Sequence, residues 1–249
     1  TIDRYIRHYG FPVKTLSAAH ITTKRNDFKG TKLDMTYLIG LRIGDLRARK
    51  IYMNSETIQI DCASTRMDMV DHVAKLFKPF GRVWLGKPTI LNKVQVECSV
   101  NKSFEFLLPK YEAFPPWTIQ NRRRFLSILA GFIDAEGCFS ISGKDRGFFS
   151  LGNYNTKILK QISELLDELK IHYRYFLSTK AGYISKEGYV QKGDYWILQI
   201  DRKYDLYCFA KILLPYLRYS RKIDDVNRVL ENIDSRNIRY GYLKWPKLG

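Results

Sequence analysis

Two acids stand out by their type, their spacing and what precedes them. Glu136 lies near the end of Leu129–Gly137, read Leu-Ala-Gly-Phe-Ile-Asp-Ala-Glu-Gly, and Asp45 near the end of Leu38–Leu46, read Leu-Ile-Gly-Leu-Arg-Ile-Gly-Asp-Leu. In each stretch a mainly apolar run with two small residues one helical turn apart leads into a carboxylate: Gly40 and Gly44 in the first, Gly131 and Ala135 in the second. Small residues at that spacing leave nearly bare backbone on one side of a helix, so two such helices can approach closely. Packed through those faces, the helices would end with their acids side by side. Adjacent carboxylates repel unless a cation neutralises them. The oxygen-only donor set of Asp45, Glu136 and the backbone carbonyls of Gly44 and Ala135 suits Mg2+ better than zinc. Such a centre can activate water and stabilise a leaving oxygen. Asp134, two residues before Glu136, faces another side of its helix, where a structural or capping role is expected.

The rest of the chain reads as two copies of the unit needed to hold these acids. Phe125–Ile133 is far too short to span a bilayer and is apolar on nearly every face, so it is expected as a buried helix. In the first copy, helix Asp34–Gly44 is followed by a hairpin, Leu46–Asn54 with Glu56–Ala63, where Ile58 and Ile60 alternate with Gln59 and Asp61. Helix Thr65–Phe80, a second hairpin (Arg82–Gly86 with Asn92–Val100) and a closing helix Phe104–Phe114 follow. Pro115-Pro116-Trp117 reads as a stiff linker. The second copy repeats the order: helix Ile119–Ala135, hairpin Cys138–Gly143 with Gly147–Asn153, helix Asn155–Leu169, hairpin Tyr173–Ala181 with Tyr189–Asp201, and helix Tyr204–Leu217. A last helix, Asp224–Ile233, leads into a basic tail. The fold class is therefore α+β with two tandem αββαββα repeats. The expected divisions are an N-terminal arm and linker over 1–33, the first repeat over 34–114, a linker over 115–118 and the second repeat over 119–249. Within the arm, Ile2, Ile6 and Tyr9 have helical spacing, Lys14–His20 could form a short helix, and Lys24–Lys32 reads as a polar linker.

Composition names the kind of partner. The 249 residues are 45% hydrophobic, enough for a sizeable core. Lys and Arg number 42 against 25 Asp and Glu, a net charge of +17, which calls for a polyanion. The basic residues are scattered over strands and do not form one face of an amphipathic helix, so nucleic acid is expected and a membrane surface is not. No stretch reads as a signal peptide or a transmembrane segment. Cys62, Cys98, Cys138 and Cys208 are widely spaced, fit neither a disulfide framework nor a zinc site, and suggest an intracellular, reducing compartment.

One face of each antiparallel sheet should pack on helices and the other present basic and polar residues. The candidates in the first copy are Arg47, Arg49, Lys50, Tyr52, Asn54 and Gln59, then Arg82, Trp84, Lys87, Lys93 and Gln95. In the second they are Ser140, Ser142, Lys144 and Arg146, then Tyr175, Lys180, Tyr183, Lys192 and Trp196. A two-stranded ribbon fits the DNA major groove, where Arg, Lys, Gln and Asn read base edges, while most such residues contact phosphates or solvent.

Leu129–Gly137 departs from the motif of the LAGLIDADG homing endonucleases only at Phe132 and in having Glu136 for Asp. Leu38–Leu46 departs further, with Arg42, Ile43 and Leu46. With two copies in one chain, the sequence resembles the single-chain, pseudo-symmetric members of that family. The resemblance covers roughly Asp34 to Leu217. It implies saddle-shaped sheets over a long asymmetric double-stranded DNA site, cut across the minor groove with divalent metal, by a monomer. It implies Mg2+ as cofactor, with Ca2+ or Mn2+ able to substitute in binding or cleavage. It also implies polar and basic residues around the metal. Asn153 closes the second strand of the second copy, where the family usually has an amide or basic side chain, while Asp61 or Cys62 holds the matching place in the first. Lys102 and Arg202 follow the fourth strands and are candidates for contacts to phosphate or water. Some relatives bind intron RNA as maturases, and a non-catalytic DNA-binding regulator of the same fold is the other alternative.

Overall fold

The computed structural model describes residues 8–10, 22–143, 145–186 and 188–239. The arm helices expected within residues 2–20 lie almost wholly outside these residues, as do Lys144 and the basic tail. Among the described residues no helix is long and apolar enough to cross a membrane. The chain forms two compact units. One comprises residues 1–29 and 46–109, the other residues 30–45 and 110–249, so the first motif helix belongs to the same unit as the second.

The first unit is a four-stranded antiparallel sheet, order β1-β2-β4-β3, made of β1 (Arg47–Lys50), β2 (Ile58–Ser64), β3 (Arg82–Leu85) and β4 (Val94–Val100). Alternation decides its two faces. Ile58, Ile60 and Cys62 on β2, with Val94, Val96, Cys98 and Val100 on β4, turn toward α2 (Met67–Phe77) and are buried with its Met69, Val70, Val73 and Phe77. The other face carries Arg47, Arg49, Gln59, Asp61, Arg82, Trp84, Gln95, Glu97 and Ser99. Two expectations change here. The closing helix Phe104–Phe114 is only a 3-10 turn, Lys102–Leu107, because Pro109 supplies no donor to continue it. The polar linker Lys24–Lys32 is anchored by Phe28, whose ring packs on Phe80, Phe104 and Phe106.

The second unit contains α1 (Lys32–Gly44), α3 (Pro116–Ile119), α4 (Arg122–Glu136) and a sheet of order β5-β6-β8-β7. Its strands are β5 (Gly137–Ile141), β6 (Gly147–Asn153), β7 (Arg174–Thr179) and β8 (Tyr195–Ile200). Helices α5 (Thr156–Glu168), α6 (Lys203–Leu213) and α7 (Ser220–Arg239) cover its apolar face. Pro115-Pro116-Trp117, expected as a stiff linker, leads into the short helix α3. Pro116 occupies the first position of α3, where its missing N–H costs nothing. The Trp117 ring lies about 5.9 Å from the Lys32 ammonium and 5.8 Å from the Arg124 guanidinium. Helix α7 is longer than Asp224–Ile233, because its buried stripe, Lys222, Val226, Val229, Leu230, Ile233 and Asn237, extends past both expected ends.

Helix α1 begins with a reciprocal cap. Thr31 Oγ1 accepts from the Asp34 backbone N–H, and Asp34 Oδ2 accepts from the Thr31 backbone N–H. Asn121 caps α4 one way only, its Oδ1 accepting from the Arg124 N–H. Beyond these caps, α1 and α4 pack with almost nothing between them. A Cβ on Gly40 would lie 1.9 Å from the Ile128 carbonyl oxygen, and one on Gly131 would lie 2.0 Å from that of Tyr37. Only glycine allows backbones to meet at that distance.

Candidate metal centre and nucleic-acid interface

The glycine contact runs along both helices to their last turns. There a Cβ on Gly44 would lie 2.4 Å from the Ala135 Cβ and 3.3 Å from the Glu136 Cγ. Asp45 is the C-cap of α1, its N–H donating to the Leu41 carbonyl, and Glu136 is the last residue of α4. Both acids are exposed at the adjoining helix ends. The Glu136 carboxyl reaches solvent but is crowded by protein atoms. This desolvation raises its pKa, the negative charge of Asp45 raises it further, and Lys222 opposes both. Each helix also leaves carbonyls of its last turn without intrahelical donors. Among the described residues no three His, Cys, Asp or Glu side chains gather at one point.

Asp134 has the structural role expected of it. It is buried, and its Oδ2 accepts from the Tyr37 hydroxyl at 2.6 Å and from the backbone N–H groups of Arg218 and Tyr219 at 3.0 and 3.1 Å. Its Oδ1 meets no partner among the described residues. Burial pushes the carboxyl up to about 6, against these donors. Arg218 also bridges the motif helices from outside. Its guanidinium donates to Asp34 Oδ1 at 2.6 Å and lies 4.4 Å over the Tyr37 ring.

Of the residues expected around the acids, Asn153 ends β6 two positions beyond Leu151, the partner of Gly137, and its Oδ1 accepts from the Asn155 N–H. Arg202 lies elsewhere. Leu198 stands opposite Leu151, β8 then runs away from that level, and Arg202 precedes α6 beyond its far end. In the first unit Lys102 opens the 3-10 turn after Val100, which pairs with Ile58 and not with the Arg47–Asp61 end of the sheet. Its ammonium pairs with Glu56 at 3.4 Å.

Two neighbours of Glu136 carry no sequence motif. The Tyr195 hydroxyl lies over Gly152, and burial raises this phenol, with the charge of Glu136 adding to the shift. The Lys222 ammonium is buried and donates to the Gly137 carbonyl. A lysine in a charged helix such as α7 reads as solvated, and only its place in the apolar stripe one residue before Ile223 and four before Val226 hints at burial.

The candidate binding residues divide by strand parity. Arg47 and Arg49 lie on the polar face of the first sheet, each donating from Nε to its cross-strand partner, Asp61 or Gln59. Arg82, Trp84 and Gln95 share that face. Lys50 does not: it shares the parity of Ala48 on the helix side and pairs with Glu105 at 2.9 Å. Tyr52 and Asn54 sit on the exposed β1–β2 connection, and Lys87 and Lys93 on the β3–β4 connection. In the second sheet Ser140 is on the open face, beside Phe148. Ser142 and Arg146 form the β5–β6 turn, and Lys180, Tyr183 and Lys192 the long β7–β8 connection. Tyr175 and Trp196 are on the opposite face. They share the parity of Leu198 and Leu151 and stack on each other, with centroids 5.1 Å apart. The open face also carries Cys138, Ser150, Gln199 and Arg174 in one row, and the first sheet carries Glu97 and Ser99. Cross-strand register, not residue type, identifies them.

Residues 126–211 match the model of the LAGLIDADG-like domain. No curated protein matches the chain by sequence. Among solved structures, I-DmoI in complex with DNA and Ca is similar at a TM-score of 0.52 and 18% identity, over 74% of this chain and 90% of that one. I-DmoI in complex with DNA and Mn gives 0.51 and 18%, over 73% and 97%. A variant of I-DmoI with its target DNA and Mg gives 0.52 and 18%, over 74% and 96%. The likeness is one of fold, to a protein that is itself a homing endonuclease. The chain thus resembles the single-chain LAGLIDADG homing endonucleases: residues 126–211 match the LAGLIDADG-like domain, and the fold is similar to that of I-DmoI.

Proposed function

We propose that this chain is a site-specific DNA endonuclease that holds a divalent cation between Asp45 and Glu136. The observation that carries the reading is the pair of exposed carboxylates at adjoining ends of two helices in backbone contact. The donor set fits a hard cation. It offers two carboxylates and helix-end carbonyls, and the charge of Asp45, which adds to burial in raising Glu136, is what a cation would offset. With only two acidic side chains gathered, such an ion would keep positions for water and phosphate oxygens, as Mg2+ commonly does. When bound, it would supply Lewis-acid activation of water and charge neutralisation on the phosphodiester. The structural relatives bound to DNA with Ca, Mn or Mg support this choice of partner and cofactor.

The chain's own residues set the geometry. Gly40 and Gly131 fix the helix separation, and the Tyr37–Asp134 bond fixes their register. Lys222 offsets the negative charge around Glu136 and ties down the first peptide of β5. The open faces of the two sheets, with the net charge of +17, would bind duplex DNA, the halves 34–114 and 119–249 each reading one part of an asymmetric site. The free cysteines suit a reducing compartment. Incubation of the monomeric chain with Mg2+ and a randomised duplex library, followed by sequencing of the ends, tests the reading. One recurrent long site among the cut ends is expected. Absence of cleavage together with tighter binding to folded intron RNA than to duplex would overturn it.

A further inference from the structure

An acid on a surface that binds a polyanion weakens binding unless it accepts a hydrogen bond there. The polar face of the first sheet carries two, Asp61 and Glu97, directly opposite each other on β2 and β4. Asp61 is occupied by the Arg47 guanidinium, at 3.0 Å from Nη2 to Oδ2. Glu97 is half-exposed, and no hydrogen bond or ion pair joins its side chain to another described residue. It lines a groove of about 340 Å³ with Arg82, Trp84 and Ser99. Trp84 is its cross-strand partner, and Arg82 is the partner of Ser99 two residues along, so a donor fork and a bare acceptor open into one groove over an aromatic floor.

We infer that this groove reads a G·C base pair in the major groove, with Arg82 on guanine and Glu97 on cytosine; the inference rests on the DNA-binding reading above. Guanine presents only acceptors there, O6 and N7, which a guanidinium meets with two N–H groups. Cytosine presents an N4 amino donor, which a carboxylate accepts and a phosphate-binding residue does not. An ionised carboxylate is an acceptor only, so it repels the acceptor-rich guanine edge and the thymine O4. Discrimination therefore comes from Glu97 as much by exclusion as by attraction.

The test compares wild type, Glu97→Ala, Glu97→Gln and Arg82→Ala as full chains. Each is used to select duplexes from a randomised library in Ca2+, and melting curves confirm folding. Wild type should demand C at one position of its site. Glu97→Ala should lose that demand, roughly tenfold or more in relative affinity, while its affinity for unrelated duplex stays level or rises. Glu97→Gln carries a donor and an acceptor, so it should shift the same position toward adenine. Arg82→Ala should relax the guanine of the same pair or of its neighbour. Uniformly tighter binding by Glu97→Ala with every base preference intact would overturn the assignment. Failure of wild type to select any duplex would overturn instead the DNA reading beneath it.

Discussion

The hydroxyl of Tyr37 on the first motif helix donates to Asp134 Oδ2 on the second at 2.6 Å, beside the glycines through which the two backbones touch. Both groups are buried, so the bond costs little to keep and much to break. Tyr37→Phe would remove one of three donors from a buried carboxylate and leave a small void. A loss of about 1–3 kcal/mol is expected, read as a lower urea midpoint at unchanged slope. An unaltered midpoint would mean that the backbone donors of Arg218 and Tyr219 suffice.

The glycines of the same contact make a steeper prediction. A methyl group at Gly40 or Gly131 would overlap a backbone carbonyl oxygen, which cannot rotate away as a side chain can. Gly40→Ala and Gly131→Ala should each destabilise by about 3 kcal/mol or fail to fold. Gly143→Ala, where nothing lies within 4 Å, should stay within about 0.5 kcal/mol of wild type. Thermal melts of the three variants settle the comparison.

How far this centre was legible in the sequence depends on how local its parts are. The glycine faces, the structural role of Asp134 and the place of the two acids at adjoining helix ends follow from spacing along single helices. The succession of strands along the chain and most boundaries also follow, because alternation in β2 and β4 is strict. Tyr175 and Trp196 fall on the helix-side face because Tyr175 pairs with Leu198 and Trp196 with Asn153, a cross-strand register that residue type does not reveal. Lys222 and Tyr195 were invisible, since only tertiary packing brings α7 and β8 to Glu136. Lys102 and Arg202 looked equivalent to catalytic positions by order along the chain, yet in each unit the fourth strand runs antiparallel to the second and carries its C-terminal residues the other way.

Asp34 predicts an acid sensitivity. Burial pushes its carboxyl up, but the hydrogen bonds from Thr31 and the Arg218 guanidinium outweigh burial and hold it below the usual carboxylate range. A depressed folded pKa contributes stability that is fully present above the unfolded value near 3.8 and is lost as pH falls through the lower folded value. Asp34→Asn should therefore lower the melting temperature at pH 7, with the gap to wild type closing below pH 3.8. A gap equally wide at pH 2.5 would show that the cap geometry matters and the charge does not.

Binding to duplex DNA should fall steeply with salt and persist in EDTA. The +17 net charge and the arginines and lysines of the sheet faces and connections would displace condensed counterions. A loss of roughly 10³-fold between 50 and 200 mM salt is expected for about six phosphate contacts. Titrations by fluorescence anisotropy at several salt concentrations give the slope, and a flat response would remove the electrostatic account of the sheets.

The two acids decide whether the centre catalyses. Asp45→Asn and Glu136→Gln keep volume but withdraw the charge that would hold a divalent ion, and outer-shell partners alone are worth 10–100-fold. A fall of roughly 10²-fold or more in cutting of both strands is therefore expected for each. Stability should not fall with it. Desolvation and the charge of Asp45 already disfavour an ionised Glu136, so neutralising either acid relieves repulsion at the helix ends. Melting temperature should stay level or rise, and DNA affinity should do the same, since a negative charge near phosphates is lost. This combination separates catalysis from capping. A cap lost would lower the melting temperature and spare the chemistry, whereas a lost metal ligand does the reverse. Nicking of each labelled strand, melting temperature and anisotropy can be measured on the same three proteins. Double-strand cutting at the wild-type rate by either folded variant would remove the carboxylates from the reaction.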